Sequence, residues 1–419
     1  MSLPQLVLHL VAEYGLILCA AHLFGRLAVR LGQPSVVGMM VAGVFLGPSA
    51  FGHFAPSVQT WCFPSETLKI LQWCAQLGVG LYLFSTGLDF DVSLVARRTR
   101  AAVSISLAGI LVPFLLAWPL ACWLEGQTGL FADNVALWQR ILFLGSAIAI
   151  TAFPMLVWIV RERGLAGTSM GALAIAAGAI NDALAWCILA LVVSSISGDT
   201  SLLLLAALGA AVMAVFCYYW GRRILAVLTE PVEAAGCVRV QNLIPVILVL
   251  AAFLGFSEWI GLHAVFGGFL CGLCLPRGRL TEWLRGKLDP VVGPFLLPLF
   301  FTFSGLNTRL DLVLSMEGLQ VLAAVLVISV LGKGVACWGA ARFAGMDNAS
   351  ACGLGALMNA RGLMELILLN IGLSAGIVGP LLFSVLVLMA ILTTFAATPL
   401  FNWLGPKAET KDERLKTKD

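Results

Sequence analysis

GALAIAAGAINDALAWCILALVV (171–193) is apolar along almost its whole length, yet it carries Asn181 and Asp182 side by side near its centre. At 1.5 Å per residue, such a run forms a helix of about 34 Å, enough to cross a bilayer core of roughly 30 Å. A helix that is apolar all round belongs in lipid or inside a bundle. A charge at its middle costs on the order of 2.5–3.5 kcal/mol on insertion scales, so it marks a pathway or a buried pair. Asp182 therefore decides both the class of fold and where its chemistry lies.

The rest of the chain agrees with a lipid solvent. Of 419 residues, 60% are hydrophobic and 11% charged, more apolar surface than a water-soluble domain can hide. The 43 glycines suit helices packed closely through small residues. A net charge of +3 gives no reason to expect nucleic acid. The cysteines are scattered through apolar runs, and even the neighbouring Cys271 and Cys274 read as small buried hydrophobes. The start, MSLPQLVLHLVAEYG, lacks a basic leader and reads as a retained helix.

Apolar runs divided by polar or Pro/Gly breaks predict an all-α polytopic membrane protein with about 13 spans. They cover 5–27, 35–51, 67–88, 100–124, 137–160, 168–195, 201–220, 239–259, 261–276, 286–305, 317–341, 351–373 and 380–404. A transport unit over 1–404 is expected, followed by a short charged tail at 405–419 and no soluble domain. Basic residues fall on alternate loops. One set holds Arg26, Arg30, Arg97, Arg98, Arg100, Arg161, Arg163, Arg222, Arg223, Arg239, Arg277, Arg279, Arg285, Lys287, Arg342 and the tail's Lys407, Lys411, Arg414, Lys416 and Lys418, whereas the other holds only Lys69, Arg140 and Arg309. The positive-inside rule then puts the N-terminus outside and the C-terminus in the cytoplasm, in the plasma or inner membrane.

A weak repeat is legible. LYLFSTGLDFDVSLV (81–95) resembles LFFTFSGLNTRLDLV (299–313), and VVGMMVAGVFLG (36–47) resembles HAVFGGFLCGLCL (263–275). Two copies of six helices, 5–195 and 239–404, joined by a linker helix at 201–220, would be inverted relative to one another. Inverted repeats of this kind belong to secondary transporters that bind substrate near the midplane.

Few ionisable groups lie inside the spans: Glu13, Asp182, Lys333, Arg361 and Glu365, with Glu258 near an end. Arg361 and Glu365 are four apart, on one helix face, and can neutralise each other as a structural pair. Lys333 reads either as a partner of Asp182 or as an ammonium held by carbonyl oxygens. Glu13 reads first as a structural hydrogen-bonding group. Two spans look interrupted: SAIAITAFPMLV (146–157), through Thr151 and Pro154, and LMNARGLMEL (357–366), through Asn359 and Gly362. Unwound backbone at membrane depth is tolerated only where it is packed in protein or lines a cavity.

ITAFPMLVWIVRERGLAGTSMGALAIAAGAINDALAW (150–186), LMNARGLMELILLNIGL (357–373) and LMAILTTFAATPL (388–400) resemble the bacterial Kef-like cation:proton antiporters and plant cation/H+ exchangers. The similarity runs to about residue 404. It implies the Na+/H+ antiporter fold, with a dimerisation panel and a mobile core containing two crossed, partly unwound helices. It also implies that Asp182 binds the cation and the proton, beside Asn181, with Thr151 at the crossing and Lys333 as the embedded lysine. Arg361, Glu365 and Asn359 would complete the charge-compensating core. No cofactor is implied. A homodimer is expected, with contact around 35–51 and 261–276.

The chemistry expected of Asp182 is competition. A carboxylate in a low-dielectric cavity is neutralised by a proton or by a transient K+ or Na+, and not readily by both. Thr151, Asn181 and unwound carbonyls offer the neutral oxygens that hard cations prefer. An Asn-Asp pair, rather than two aspartates, suggests one cation per proton and so electroneutral exchange. Three other classes share an all-helical membrane architecture: a sodium-coupled organic-anion symporter, a channel-like K+ efflux protein and a non-transporting membrane receptor. No TVGYG-like filter supports the channel. No P-loop, HExxH or GxSxG supports an enzyme. The residues leave the choice between K+ and Na+ open.

Overall fold

Lipid offers backbone groups no partners, so a chain this apolar satisfies them within helices. The structure, a computed structural model, describes residues 2–89, 99–127, 129–162, 165, 168–197, 208–209, 212–213, 215–260 and 264–406. In chain order its helices are α1 (Leu3–Arg30), α2 (Ser35–Leu46), α3 (Ser65–Asp89), α4 (Thr99–Trp123), α5 (Leu137–Ala149), α6 (Phe153–Glu162) and α7 (Ser169–Ser197). They continue with α8 (Arg222–Ala235, preceded by a π-helical turn at Cys217–Gly221), α9 (Leu243–Trp259) and α10 (Ala264–Cys274). Next comes α11, continuous from Arg279–Val291 through a π turn into Leu297–Leu306. Then α12 runs from Met316–Ser329 through a π turn at Val330–Val335 into Ala336–Phe343. The last are α13 (Asn348–Met358), α14 (Leu363–Ser374) and α15 (Pro380–Leu404). Among the described residues, eight helices are long and apolar enough to span a membrane. The protein is an all-helical, polytopic integral membrane protein.

Several boundaries differ from the sequence reading. The second span stops at Leu46, where the chain turns at Gly47 into two short helical turns, Phe51–Phe54 and Pro56–Cys62. The helix expected at 286–305 begins earlier, at Arg279, because its charged first turns lie beside α8 rather than in lipid. The linker expected at 201–220 is described only in part and continues as helix to Ala235. The turn at Gly261, residues 201–207, most of the 81–95 repeat's polar end and the tail from 407 lie outside the described residues. The spans expected at 137–160 and 351–373 are each two helices separated by non-helical backbone.

By contact the helices fall into two groups. One contains α1–α3 and α9–α11; α3 packs along α10, α2 lies between α1 and α11, and α9 packs on α10. The other contains α4–α7 and α12–α15; α4 packs on α5, α7 and α12, and α15 on α12, α13 and α14. Glycines allow backbone-to-backbone approach in the first group. Gly43 of α2 meets Gly305 of α11, and Gly87 of α3 meets Gly272 of α10; a Cβ at any of the four would collide with main-chain atoms. Packing of this kind buries most described residues of α2 and α10 within one chain, while Phe45 of α2 stays exposed. Other large exposed apolar residues lie on α1, α4, α9 and α12, among them Leu8, Leu111, Ile247 and Val327.

Candidate ion-binding site

The last carbonyls of a helix have no partner within it, and inside a membrane no water replaces them. Helix α5 ends at Ala149 in the middle of the second group of helices. Its final carbonyls are met by two cations from other helices. Arg361 donates to Ala147 O at 2.5 Å and to Ile148 O at 2.7 Å, and Lys333 donates to Ala149 O. A positive charge is also what a helix C-terminus favours. Arg361 and Lys333 are both 0% exposed.

Each cation is held from behind. Arg361 pairs with Glu365 one turn on in the chain, at 3.4 Å, and donates to Ser329 Oγ at 2.5 Å. Glu365 too is fully buried. Lys333 sits within the π turn of α12, four residues after Ser329. The wide turn is a local break in the regular ladder, of the kind that often marks a functional position in a helix.

The interruptions at 150–152 and 359–362 lie side by side. Ala152 N–H donates to Ala360 O at 3.0 Å, and Thr151 Oγ1 donates to Met358 O, at the end of α13, at 3.0 Å. A long neighbouring helix then holds each break. Thr151 N–H donates to Asn181 Oδ1 of α7 at 2.9 Å. Arg361 N–H donates to Thr394 Oγ1 of α15 at 2.8 Å. The side chain of Asn359 turns back onto its own helix, donating to Gly355 O at 2.9 Å.

Asp182 is the next residue after Asn181 and is 2% exposed. It interacts electrostatically with Lys333, as do Arg361 and Glu365. The arrangement is a buried junction where two broken helices, two long helices and a π-turned helix bring together two acids, two cations and neutral oxygens.

Comparison with known proteins accords with this geometry. Residues 16–404 match the family model described as the sodium/hydrogen exchanger, transmembrane region. The chain belongs to the sodium/hydrogen exchanger family. This exchanger-family chain is 33% identical over 404 residues to the Na(+)/H(+) antiporter NhaS4 of Synechocystis sp., covering 96% of this chain and 98% of that one. It is 34% identical to Cation/H(+) antiporter 17 of Arabidopsis thaliana and 30% identical to K(+)/H(+) antiporter 1 of Saccharomyces cerevisiae. These matches cover 95% and 93% of this chain but 48% and 46% of those proteins, so it spans about half the length of the plant and yeast relatives. All three are transporters by name rather than enzymes. In fold it is similar to the sodium proton antiporter MjNhaP1 of Methanocaldococcus jannaschii, with a TM-score of 0.55, 15% identity and coverage of 95% and 96%.

Within this exchanger-family chain, the residues singled out in sequence do converge: Thr151, Asn181, Asp182, Lys333, Asn359, Arg361 and Glu365 all belong to one junction. Glu13 does not. It is 2% exposed on α1, in the other group of helices, with Thr67 as its polar neighbour; the Thr67 hydroxyl donates to Pro64 O at 3.0 Å. Ser329 and Thr394 are the participants that sequence reasoning missed. Ser329 is a single hydroxyl in an apolar run and Thr394 is one of the neighbouring pair Thr393–Thr394, both of a kind common in membrane helices. Only position relative to Arg361 distinguishes them. For Thr394 the signal in sequence is its place on the long helix that comes after the second break, as Asn181 lies on the long helix that comes after the first.

Proposed function

We propose that this chain is a secondary active transporter that exchanges a monovalent cation, K+ or Na+, for protons by alternating access at Asp182. The observation that carries the reading is the burial of Asp182 next to the amide that ties down a helix break. A carboxylate there has a choice of two neutral states, protonated or cation-bound, and crosses the membrane at low cost only in one of them. Thr151, Asn181 and the backbone carbonyls near the breaks supply oxygens of the kind a hard cation accepts. Lys333 and Arg361, both bonded to the end of α5, compensate the helix terminus and bias the field at Asp182, with Glu365 and Asn359 as their supports. The names of the relatives point to cation/proton antiport and divide between Na+ and K+.

The proposed organisation is two inverted repeats, about 5–195 and 239–404, around a linker at 201–220, with 13 spans and the two interrupted helices crossed in a mobile core. Supporting it, the glycine pairs are reciprocal: α2 of one copy meets α11 of the other, and α10 meets α3, at matching positions of the two sequence repeats. The two bonds from a break to its long neighbour, Thr151 to Asn181 and Arg361 to Thr394, are likewise counterparts. The basic loops favour an N-terminus outside and a cytoplasmic C-terminus in the plasma or inner membrane. A homodimer is part of the proposal, with the 405–419 tail in the cytoplasm.

The test is proton release from proteoliposomes on addition of K+, Na+, Li+ or Rb+, run beside Asp182→Asn. Exchange by the native chain and none by the variant is the expected result. Cation-driven proton movement that survives the substitution at native rate sinks the proposal.

A further inference from the structure

An apolar membrane helix has little reason to carry amides on its outer turns unless water or an ion meets them. Two helices here do so at matched spacing. Gln72 and Gln76 of α3 are four apart, and so are Asn370 and Ser374 of α14; in each pair the side chains share a face. The two faces line the same open cleft of about 380 Å³, whose remaining lining is apolar and includes Val79, Phe300, Phe303 and Ile367. It lies between the two groups of helices, since α3 and α11 belong to one and α14 to the other.

The chemistry of the lining is specific. Its polar groups are amides and a hydroxyl, with no fixed charge, set in an otherwise apolar lining. Asn370 Nδ2 donates to Leu366 O of its own helix at 2.8 Å, which leaves the amide oxygen as the end available to a ligand. Oxygens of this kind replace water around a hard cation without binding it too tightly to leave. Asn370 stands eight residues beyond Gly362, roughly 12 Å along the helix from the break at 1.5 Å per residue. The helix that opens at the ion-binding junction therefore ends at this cleft. Further along α3 and α11, a second space lined by Tyr82, Leu83, Met155, Leu297, Phe301 and Met364 has a volume of only about 20 Å³.

We propose that Gln72, Gln76 and Asn370 form a cation-dehydrating vestibule on one face of the protein, a site that sets the apparent affinity for the cation from that face alone. The proposal rests on the exchange function argued above. Its occupant is a partly hydrated monovalent cation, and its amides act on entry and exit rather than in the step at Asp182.

The test uses the full chain in liposomes, with orientation scored by protease access to an N-terminal tag and K+ or Na+ added to one face at a time. The triple variant Gln72→Leu, Gln76→Leu, Asn370→Leu should raise KM for the cation on the face bearing the α3 N-terminus. Loss of one contact of ordinary hydrogen-bond strength corresponds to a rise of roughly two- to tenfold, and loss of all three to a rise of about tenfold or more. The kcat, the proton dependence and the KM on the opposite face should not move, and Asn370→Ser, which keeps an oxygen, should stay near native. An unchanged KM on both faces overturns the vestibule, as does a rise that is equal on both. If the triple variant fails to insert, Gln76→Leu alone carries the same comparison, because Gln76 is exposed. Exchange that is abolished by Asp182→Asn yet has native KM in the leucine variants removes the vestibule only; exchange indifferent to Asp182→Asn removes the underlying function.

Discussion

Asn181 Oδ1 accepts a hydrogen bond from the backbone N–H of Thr151 at 2.9 Å, so the residue before the buried acid is also the fastener of the first helix break. The two jobs are inseparable in the chain. Anything that moves Asn181 moves Asp182 relative to the oxygens around the break. Replacement of Asn181 by Leu leaves a buried N–H without an acceptor, which costs about 1–3 kcal/mol. Thermal unfolding in detergent should register that loss, and transport should fall with it. A variant as stable as the native protein would show that the bond contributes nothing.

Asn181→Asp separates fastening from charge. The aspartate keeps an oxygen for Thr151 N–H but adds a second carboxylate beside Asp182. With the native Asn-Asp pair, exchange should be electroneutral and insensitive to an imposed potential. A net charge crossing 100 mV is worth about 2.3 kcal/mol, so any electrogenic mode is measurable at clamped pH. Voltage-dependent flux in the native protein would refute the one-for-one stoichiometry; the appearance of voltage dependence in the variant alone would support it.

Arg361 should be the costliest residue of the junction to remove. Arg361→Ala leaves Glu365 as a buried charge without its partner, and breaking such a pair costs about 3–5 kcal/mol. It also strips the acceptors Ala147 O and Ile148 O of their donor. Poor insertion or a strongly lowered melting temperature is expected. The double variant Arg361→Met, Glu365→Leu should recover part of the stability, and a double variant no better than the single one would argue against the pair as the cause.

Thr394 is expected to matter for its oxygen. Its hydroxyl accepts from Arg361 N–H at 2.8 Å, so Thr394→Val should cost about 1–3 kcal/mol whereas Thr394→Ser should be close to native. Equal effects of the two substitutions, measured by unfolding in detergent, would assign the role to packing of the methyl group.

Outside the membrane, the acid side of the stability profile should involve Asp311. The Arg309 guanidinium donates to it at 3.0 and 2.7 Å and, with Ser49, holds its carboxyl below the usual carboxylate range. A carboxyl lowered on folding contributes fully above its unfolded value, near 3.9, and loses the contribution as pH falls further. Both partners are about half exposed, 47% and 48%, so the contribution should be below about 1 kcal/mol. Melting temperature should therefore dip slightly less below pH 4 in Asp311→Asn than in the native chain; an identical dip removes Asp311 from the account.

What the sequence determined by itself is the solvent and the cost of each exception to it. Apolar length set the helices, because lipid leaves backbone groups no alternative, and a lone acid in that setting had to be sheltered. Hence Asp182, Lys333 and the Arg361–Glu365 spacing were readable, as were both interruptions, since Thr151–Pro154 and Asn359–Gly362 disturb otherwise continuous runs. The ends of helices were less readable, as at Leu46 and Arg279, because neighbours rather than composition decide where a helix leaves the lipid. Only the tertiary structure decided which orphan carbonyl each cation meets, why Ser329 and Thr394 matter, and that α2 and α10 are largely buried. Those facts depend on approach between residues far apart in the chain, and a hydroxyl or a glycine looks the same in sequence whether or not a partner backbone lies against it.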